Sequence, residues 1–294
     1  MAGLSVVMPN FNKGRYLEDA IRSVLGQSYQ DLELIVVDDG STDSSPSMIE
    51  GLAKADSRLK PLMHGRNLGV AAALNTGIAA AKGELLTFAG SDDLFAPERV
   101  RRIVDHLPPV SWPSVIYSDP IYIEKEARAV AAVPSKASFR PTGMILKYLL
   151  RGGYRFLGEP IAAPKKCFDD VGPYDTSLTW GEDFDMALRL SARFPLVFDP
   201  LSTYGYRIYE QNVIRTIEKK DRWSQQGRIL ERHIMGNYDA LDEETRRLSF
   251  RYLFSCFVAS GRWDSILRYG LTKRAGFRAM VSLPLRAERR PSER

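Results

Sequence analysis

The chain has 294 residues, of which 44% are hydrophobic and 26% are charged, so it is long enough for one large α/β domain with an appendage and does not have the composition of a disordered chain. Its two cysteines, Cys167 and Cys256, lie too far apart to indicate a disulfide framework. No run approaches the roughly 18 apolar residues that a transmembrane helix needs, and no charged leader precedes the first apolar run.

The net charge of +5 is unevenly distributed. Residues 215–294 hold 18 of the 41 Lys and Arg but only 10 of the 36 Asp and Glu. Such a basic region is expected either to face an anionic partner, such as a membrane surface or a nucleic acid, or to form solvated helix faces.

Short apolar runs alternate with helical patterns through the first part of the chain. The predicted strands are residues 4–9, 32–37, 58–63, 84–88 and 115–119. Helical spacing of apolar residues after the first strand, a Ser-Pro start at residue 45, a small-residue segment at 70–81 and the segment 97–107 predict the helices between them. Strands that alternate with helices imply right-handed crossovers and a mostly parallel sheet, and Pro61 predicts that the third strand is near an edge or short.

This alternation breaks after about residue 125. Residues 126–142 are predicted as a loop, 183–193 as a helix, 196–199 and 202–207 as two short strands, and 219–270 as mostly helical. The predicted organisation is a domain over residues 1–214 followed by a helical, basic region over 215–294.

Polar chemistry collects at three predicted strand ends. The first strand ends in PNFN, the second in DDGSTD and the fourth in GSDD. The carboxyl ends of parallel strands share one edge of a sheet, which is where such sheets bind ligands. Clustered carboxylates without His or Cys favour Mn²⁺ or Mg²⁺, whose remaining ligands are commonly water and substrate phosphates. The simpler alternative for Asp92 and Asp93 is a helix cap.

Two other observations narrow the chemistry. The first strand is followed by neither a P-loop nor a G-x-G-x-x-G turn, which disfavours a P-loop hydrolase and a dinucleotide dehydrogenase. The segment WGEDFD places Glu182, Asp183 and Asp185 at the start of a helix, where one carboxylate would suffice as a cap. A carboxylate there could act as a general base near a bound diphosphate.

Several of these segments together resemble glycosyltransferase family 2. They are SVVMPNFNKGRYLEDAIRSVLGQSYQDLELIVVDDGSTD, RNLGVAAALNTGIAAAKGELLTF, GSDDLFAPERV, VGPYDTSLTWGEDFDMALRL and YRIYEQN. The resemblance covers about residues 4–212. It implies a GT-A fold and an inverting transfer of sugar from a nucleotide diphosphate donor, a UDP- or dTDP-sugar, with a divalent cation (Mn²⁺ or Mg²⁺) offsetting the charge of the departing diphosphate.

The resemblance also implies roles for individual residues. Those assigned to the donor nucleotide are Pro9, Asn10 and Phe11 under the base, Asp39 at the base or ribose, Asn67 and Gly69 beside the donor, and Asp92 at the ribose. Asp93 and Asp92 correspond to the metal-binding region. Asp183 corresponds to the general base, with Glu182 supporting it.

Two positions depart from the family pattern. Gly90 stands where the family often has a first acid, as in L-D-S-D-D, and Tyr209 replaces the His of Y-R-x-H-x-x-N. These departures imply a weaker metal site, or a metal held mostly by the substrate. They also keep open a second hypothesis, a non-catalytic nucleotide-sugar-binding or scaffold protein with a decayed site. A nucleotidyltransferase is disfavoured because PNFNKGRY lacks that class's Gly-rich, Arg-containing loop.

The expected acceptor is a carbohydrate or a lipid-linked glycan, as in surface polysaccharide or lipopolysaccharide assembly. Trp180 is expected either to stack on an acceptor sugar or simply to pack. The basic, partly apolar segment 268–290 predicts peripheral contact with an anionic membrane. The protein is expected to be cytoplasmic, at the inner face of the membrane, with no nucleic-acid partner.

Overall fold

The computed structural model describes residues 3–107, 113–136, 140–153, 161–210 and 217–262. The chain divides into two compact units, residues 1–149 with 154–217 and residues 150–153 with 218–294. The predicted boundary between residues 214 and 215 lies outside the described residues, and so does the basic segment 268–290.

The first unit is built on a central β-sheet. Its strands are β1 (Leu4–Asn10), β2 (Leu32–Asp38), β3 (Leu59–Met63), β4 (Leu85–Phe88), β5 (Leu94–Phe95), β6 (Val115–Glu124), β7 (Val133–Pro134), β8 (Ile161–Pro164) and β9 (Leu196–Ile208). Across the described sheet the order is β3-β2-β1-β4-β8-β6-β9-β5, and β7 pairs with β9. β1 runs parallel to β2 and β4, and β2 runs parallel to β3. The predicted α/β fold with a mostly parallel sheet is confirmed, and β3 lies at the edge, as its proline indicated.

Helices cover the sheet and form the second unit. They are α1 (Gly14–Leu25), α2 (Ser45–Ala55), α3 (Val70–Ala80), α4 (Arg99–His106), α5 (Leu146–Tyr148), α6 (Lys165–Val171), α7 (Glu182–Arg193), α8 (Lys219–Gly236) and α9 (Glu243–Ser260). A π-turn spans Leu149–Gly153 and a 3₁₀ turn spans Tyr238–Ala240.

The core explains why β1 and β2 read as continuous apolar runs. Side chains of one face, such as Leu4 and Val6, are fully buried in one cluster with the apolar stripe of α1, including Leu17 and Ile21. The opposite face is covered by α3. A Cβ on its Gly77 would lie 2.3 Å from a methyl carbon of Val7, so the small-residue face of this helix permits its close approach to the sheet.

The later part of the sheet differs from the sequence prediction in several places. The two-residue strands β5 and β7 were not predicted, and β7 lies within the predicted loop over residues 126–142. The two short strands predicted at 196–199 and 202–207 form one strand, β9, which pairs in parallel with β6 on both sides of a register shift between Ser118 and Pro120. β8 was not predicted. It lies antiparallel between β4 and β6, and its small residues carry little strand signal of their own.

The second unit contains α8 and α9 among its described residues. Asp242 caps α9 by accepting a hydrogen bond from the Thr245 N–H at 2.8 Å. The two helices approach closely where Gly227 lies against the ring of Phe257. No helix in the described ranges has both the length and the apolar character needed to cross a bilayer.

Candidate active site

A cavity of about 330 Å³ opens at the carboxyl ends of β1, β2 and β4 in the first unit. It is lined by Pro9, Asn10, Phe11, Lys13, Asp39, Asn67, Val70, Ala73, Gly90, Ser91, Asp92, Asp93 and Tyr206. Seven of the eight residues that the sequence assigned to the donor or the metal are on its wall. The eighth, Gly69, is joined to it through a hydrogen bond to Asp39.

Asp39 is held in a fixed orientation at the end of β2. Its Oδ1 accepts from the Leu68 N–H at 2.9 Å and lies 2.6 Å from His64 Nδ1, and its Oδ2 accepts from the Gly69 N–H at 2.8 Å. A carboxylate offers about four acceptor positions, so these three contacts among the described residues leave roughly one for a ligand. His64 itself extends to Thr76, at 3.0 Å from its Nε2.

The loop after β1 forms the rim of the cavity. Phe11 is 42% exposed, so its ring is accessible at the cavity that the residue lines. The next residue, Asn12, has a positive φ of 54° and is tied to the loop after β2. Its N–H donates to Ser41 Oγ at 2.9 Å, and its Oδ1 accepts from the Thr42 N–H at 2.8 Å. The rim is therefore set by contacts between the two loops.

Asp93 is a buried anchor with both carboxylate oxygens engaged. Its Oδ1 accepts from the Arg207 N–H at 2.7 Å, and its Oδ2 accepts from the Tyr204 hydroxyl at 2.7 Å. The side chain of Arg207 continues this connection, donating to the carbonyl of Asp92 at 2.5 Å and to that of Ala127 at 2.7 Å. Asp93 thus fastens the turn after β4 to β9.

Asp92 meets a different environment. Its Oδ2 lies 2.9 Å from the ammonium nitrogen of Lys13 and accepts a hydrogen bond from the Tyr209 hydroxyl, which Lys13 also contacts. Burial, and next to it the negative charge of Asp92, raise the pKa of Tyr209 far above its ordinary value, so this hydroxyl keeps its proton. We refer to these three residues as the Lys13 cluster.

The two adjacent aspartates therefore do not depend on a common cation. Lys13 balances Asp92, and peptide and phenol donors stabilise Asp93. Gly90 fits the same geometry. A Cβ at this position would lie 2.6 Å from Asp93 Oδ2, so a first acid could not stand here with Asp93 in its present place.

These side chains fit a resident Mn²⁺ or Mg²⁺ ion poorly. Such an ion binds oxygens with available lone pairs, while Asp92 Oδ2 already faces an ammonium and a phenol proton. Asp93 has hydrogen bonds on both oxygens. Among the described residues, no group of three or more His, Cys, Asp or Glu side chains is placed to hold a metal ion.

The predicted catalytic acids begin α7. Asp185 is buried and its Oδ2 lies 2.9 Å from Arg189 Nε, which gives it a structural role. Glu182 and Asp183 are partly exposed in the first turn, where the helix dipole stabilises negative charge, and Asp183 Oδ1 accepts from the Phe184 N–H at 2.6 Å. Neither is among the described residues that line the cavity.

Sequence reasoning assigned no role to four residues that shape this site. They are Lys13, His64, Tyr204 and Arg207. Lys13 carried a local signal, a basic residue three positions after the strand-end Asn10. Tyr204 and Arg207 act on a turn more than 100 positions earlier in the chain, at sequence separations of 111 and 114, and no local pattern shows that pairing.

Comparison with known proteins places this geometry in a family. The family described as "Glycosyl transferase family 2" matches residues 5–109, which contain all of the cavity residues named above except Tyr206. The segment over residues 5–109 thus matches glycosyltransferase family 2.

Curated relatives match about a third to three quarters of this chain. An uncharacterised glycosyltransferase from Nostoc sp. is 44% identical over 103 residues, which is 35% of this chain and 32% of the relative. Glycosyltransferase GlyG from Streptococcus pneumoniae is 43% identical over 91 residues, or 31% of this chain and 30% of the relative. The matches to these relatives thus span about a third of the relatives' length.

Solved structures extend the likeness to the whole fold. TarS 1-349 from S. aureus in complex with UDP-GlcNAc superposes with a TM-score of 0.66 at 19% identity, covering 94% of this chain and 79% of that one. The mannosyltransferase PcManGT from Pyrobaculum calidifontis, in complex with GDP-Man and Mn²⁺, has a TM-score of 0.57 at 15% identity, covering 95% and 83%. The fold is the GT-A fold, as predicted, and one of these neighbours is seen with a divalent metal.

Proposed function

We propose that this chain transfers a sugar from a nucleotide diphosphate donor to an acceptor hydroxyl, with inversion at the anomeric carbon. The observation that carries the proposal is the cavity of about 330 Å³ at the carboxyl edge of the sheet. Phe11, Asp39 and Asp92 line this cavity, and all three lie in the segment that matches glycosyltransferase family 2. An exposed ring, a fixed acceptor and a charged cluster suit the base, ribose and diphosphate of such a donor.

The nucleotide of the proposed donor is a pyrimidine, in a UDP- or dTDP-sugar. Asp39 has about one acceptor position left after its contacts with His64, Leu68 and Gly69. Uracil and thymine present one N–H donor, at N3, whereas guanine presents two adjacent donors that would need two acceptors. Phe11 would lie against the face of the base.

The proposed chemistry is a single displacement with Asp183 as general base. An acceptor hydroxyl gives its proton to Asp183 as its oxygen attacks the anomeric carbon, the bond to the diphosphate oxygen breaks, and the configuration inverts. Support comes from the position of Asp183 and Glu182 at the N-terminus of α7 and from the engagement of Asp185 by Arg189. Glu182 would support Asp183 electrostatically.

The predicted Mn²⁺ or Mg²⁺ enters this proposal only as an ion carried in by the donor, because Asp92 Oδ2 already meets Lys13 and both oxygens of Asp93 accept hydrogen bonds. Metal bound in this way would offset charge on the leaving diphosphate.

The proposed setting is assembly of a surface polysaccharide or lipopolysaccharide at the inner face of a membrane. The acceptor would be a carbohydrate or a lipid-linked glycan, reached from the cytoplasm. Support comes from the charge of residues 215–294, which hold 18 Lys and Arg against 10 Asp and Glu.

The proposal is tested by calorimetric titration of UDP, dTDP and GDP into the full chain, followed by a screen of UDP- and dTDP-sugars in which NMR reads the anomeric configuration of the product. We expect UDP or dTDP to bind at micromolar concentration, GDP to bind more weakly, and Asp183→Asn to abolish turnover while nucleotide binding remains. Absence of nucleotide binding with and without Mn²⁺ would overturn the donor site. Nucleotide-sugar binding without turnover on any acceptor would instead favour the non-catalytic hypothesis.

A further inference from the structure

We propose that Lys13 is the resident cation of the donor site, and that its ammonium binds the donor diphosphate so that nucleotide binding needs no divalent metal. The inference rests on the proposed function, because it concerns the same cavity and the same donor.

Lys13 is positioned for this role by both ends of its side chain. Its backbone immediately precedes α1, and its carbonyl accepts the N–H of Tyr16 at 2.8 Å and that of Leu17 at 3.0 Å. Its ammonium reaches the cavity wall, where the side chain is 20% exposed, and it lies 4.9 Å from the centre of the Tyr209 ring. The charge is therefore held in place before a ligand arrives, which lowers the ordering entropy lost on binding.

The hydrogen-bonding capacity of Lys13 leaves room for a phosphate. An ammonium has three N–H donors. Among the described residues, one is directed to Asp92 and a second to the Tyr209 hydroxyl. The third can donate to a diphosphate oxygen, as a charge-assisted hydrogen bond of the strong class.

The charge of the cavity supports the same assignment. Of the described residues that line it, Lys13 is the one basic side chain, and it stands against Asp39, Asp92 and Asp93. A diphosphate that binds beside these carboxylates needs a positively charged group to pair with its own negative charge. The ammonium already contacts Asp92 Oδ2, so a metal that bound this oxygen would have to displace it.

The position of Tyr209 in the sequence also supports Lys13 as the cation of this site. Its position is that of the His in the family pattern, and a neutral imidazole can bind a metal through a ring nitrogen. A protonated phenol cannot, but it donates to Asp92 and accepts from Lys13, which joins the cluster in a ring of contacts. Its ring also packs against Tyr16, with centroids 4.9 Å apart. Tyr209 thus holds the lysine in place and offers no ring nitrogen to a metal.

The test is calorimetric titration of UDP, or of dTDP if that binds more tightly, into the full chain in EDTA and in Mn²⁺. We expect the two dissociation constants of the wild type to agree within about twofold. In EDTA, Lys13→Met should weaken binding by at least about tenfold, the scale of one charge-assisted hydrogen bond. Mn²⁺ should restore part of that loss, because Asp92 would then be open to the ion.

Two further variants make the result specific. Lys54→Met removes an exposed lysine of α2, outside the cavity, and should leave both constants unchanged. Tyr209→His restores the family residue and should make binding at least about threefold tighter in Mn²⁺ than in EDTA. Thermal denaturation of each variant verifies that it is folded.

The outcomes separate this inference from the function on which it rests. If wild-type UDP binding appears only with Mn²⁺, or if Lys13→Met binds UDP in EDTA as tightly as the wild type, the inference is wrong and the donor site stands. If no nucleotide binds in either buffer, the proposed function itself fails.

Discussion

Two pairs of adjacent aspartates lie at the cavity, Asp38 with Asp39 and Asp92 with Asp93. In the first pair the first residue is the structural anchor, and in the second pair the second residue is. In the first pair, Asp38 holds the loop by accepting from Asn10 Nδ2 at 2.7 Å and from the Ser41 N–H at 2.9 Å, while Asp39 lines the cavity with acceptor capacity to spare. In the second pair, the first residue, Asp92, meets the Lys13 cluster, and the second, Asp93, is the buried anchor.

The difference follows from where each strand lies. Asp38 is the last residue of β2, and Asp93 directly precedes β5, so the anchor in each pair is the carboxylate that adjoins a strand. Its neighbour lies outside the strand and lines the cavity. In each pair, the carboxylate that adjoins the strand is thus the one held by hydrogen bonds that fix the local backbone.

The largest effect is expected when the two carboxylates of the second pair are removed one at a time. Asp93→Ala leaves the Tyr204 hydroxyl and the Arg207 N–H without their acceptor in a buried place, which should lower the free energy of unfolding by about 2–4 kcal/mol. Asp92→Ala, whose carboxylate is partly exposed, should cost about 1 kcal/mol or less. Urea denaturation of both variants measures the contrast, and equal losses would contradict the division into anchor and ligand-facing acid.

The space around the anchor is tested by Gly90→Ala. The added Cβ would lie 2.6 Å from Asp93 Oδ2, which Tyr204 and Arg207 hold in place, so we expect a loss of about 1–3 kcal/mol in the free energy of unfolding. Gly51→Ala on α2 is the matched control. Nothing lies within 4 Å of that Cβ, so helix propensity should make it stabilising by roughly 0.5–1 kcal/mol. Destabilisation by both substitutions alike would remove the steric explanation for Gly90.

Much of the fold could be predicted because its signals are local. β1 and β2 are buried on both faces and read as continuous apolar runs, while α1 buries one stripe and shows the helical period. β8 was missed for the opposite reason. Its four residues, IAAP, become a strand by pairing with β4 and β6, which are far from it in sequence. The two pieces predicted around Pro200 likewise join because β6 runs along both.

The residues of the site likewise divide into those that could be predicted from the sequence and those that could not. The resemblance to family 2 assigned eight residues to the donor or the metal, and the structure brings seven of them to one cavity. Which of Asp92 and Asp93 is the buried anchor could not be predicted, because the answer depends on Tyr204, Arg207 and Tyr209 at the other end of the first unit's sequence. The ammonium beside Asp92 belongs to Lys13, in the loop after β1. The sequence GSDD alone therefore suggests a metal ion at a place where the fold brings in a lysine.

The ligand-facing member of the first pair can be identified with a modified nucleotide. If the remaining acceptor of Asp39 takes the N3–H of uracil, then UDP methylated at N3 should bind the wild type at least about tenfold more weakly than UDP. Asp39→Asn should largely erase that ratio. Asp38→Asn should preserve it, because Asp38 is expected to act only on the loop, and competition titrations of the two nucleotides against each variant measure the ratios. A ratio that vanishes in Asp38→Asn would reverse the roles assigned to this pair.

The smallest effect is expected one contact further from the ligand, at His64. This side chain supplies one of three contacts to Asp39, and the N–H groups of Leu68 and Gly69 supply the other two, so the carboxylate should stay close to its place when the imidazole is removed. We therefore expect His64→Ala to weaken UDP binding by about two- to fivefold, and to leave the ratio between UDP and its N3-methyl derivative unchanged. The same competition titration measures both quantities. A loss as large as that of Asp39→Asn would mean that the imidazole, and not the two peptide groups, orients the acid that reads the base.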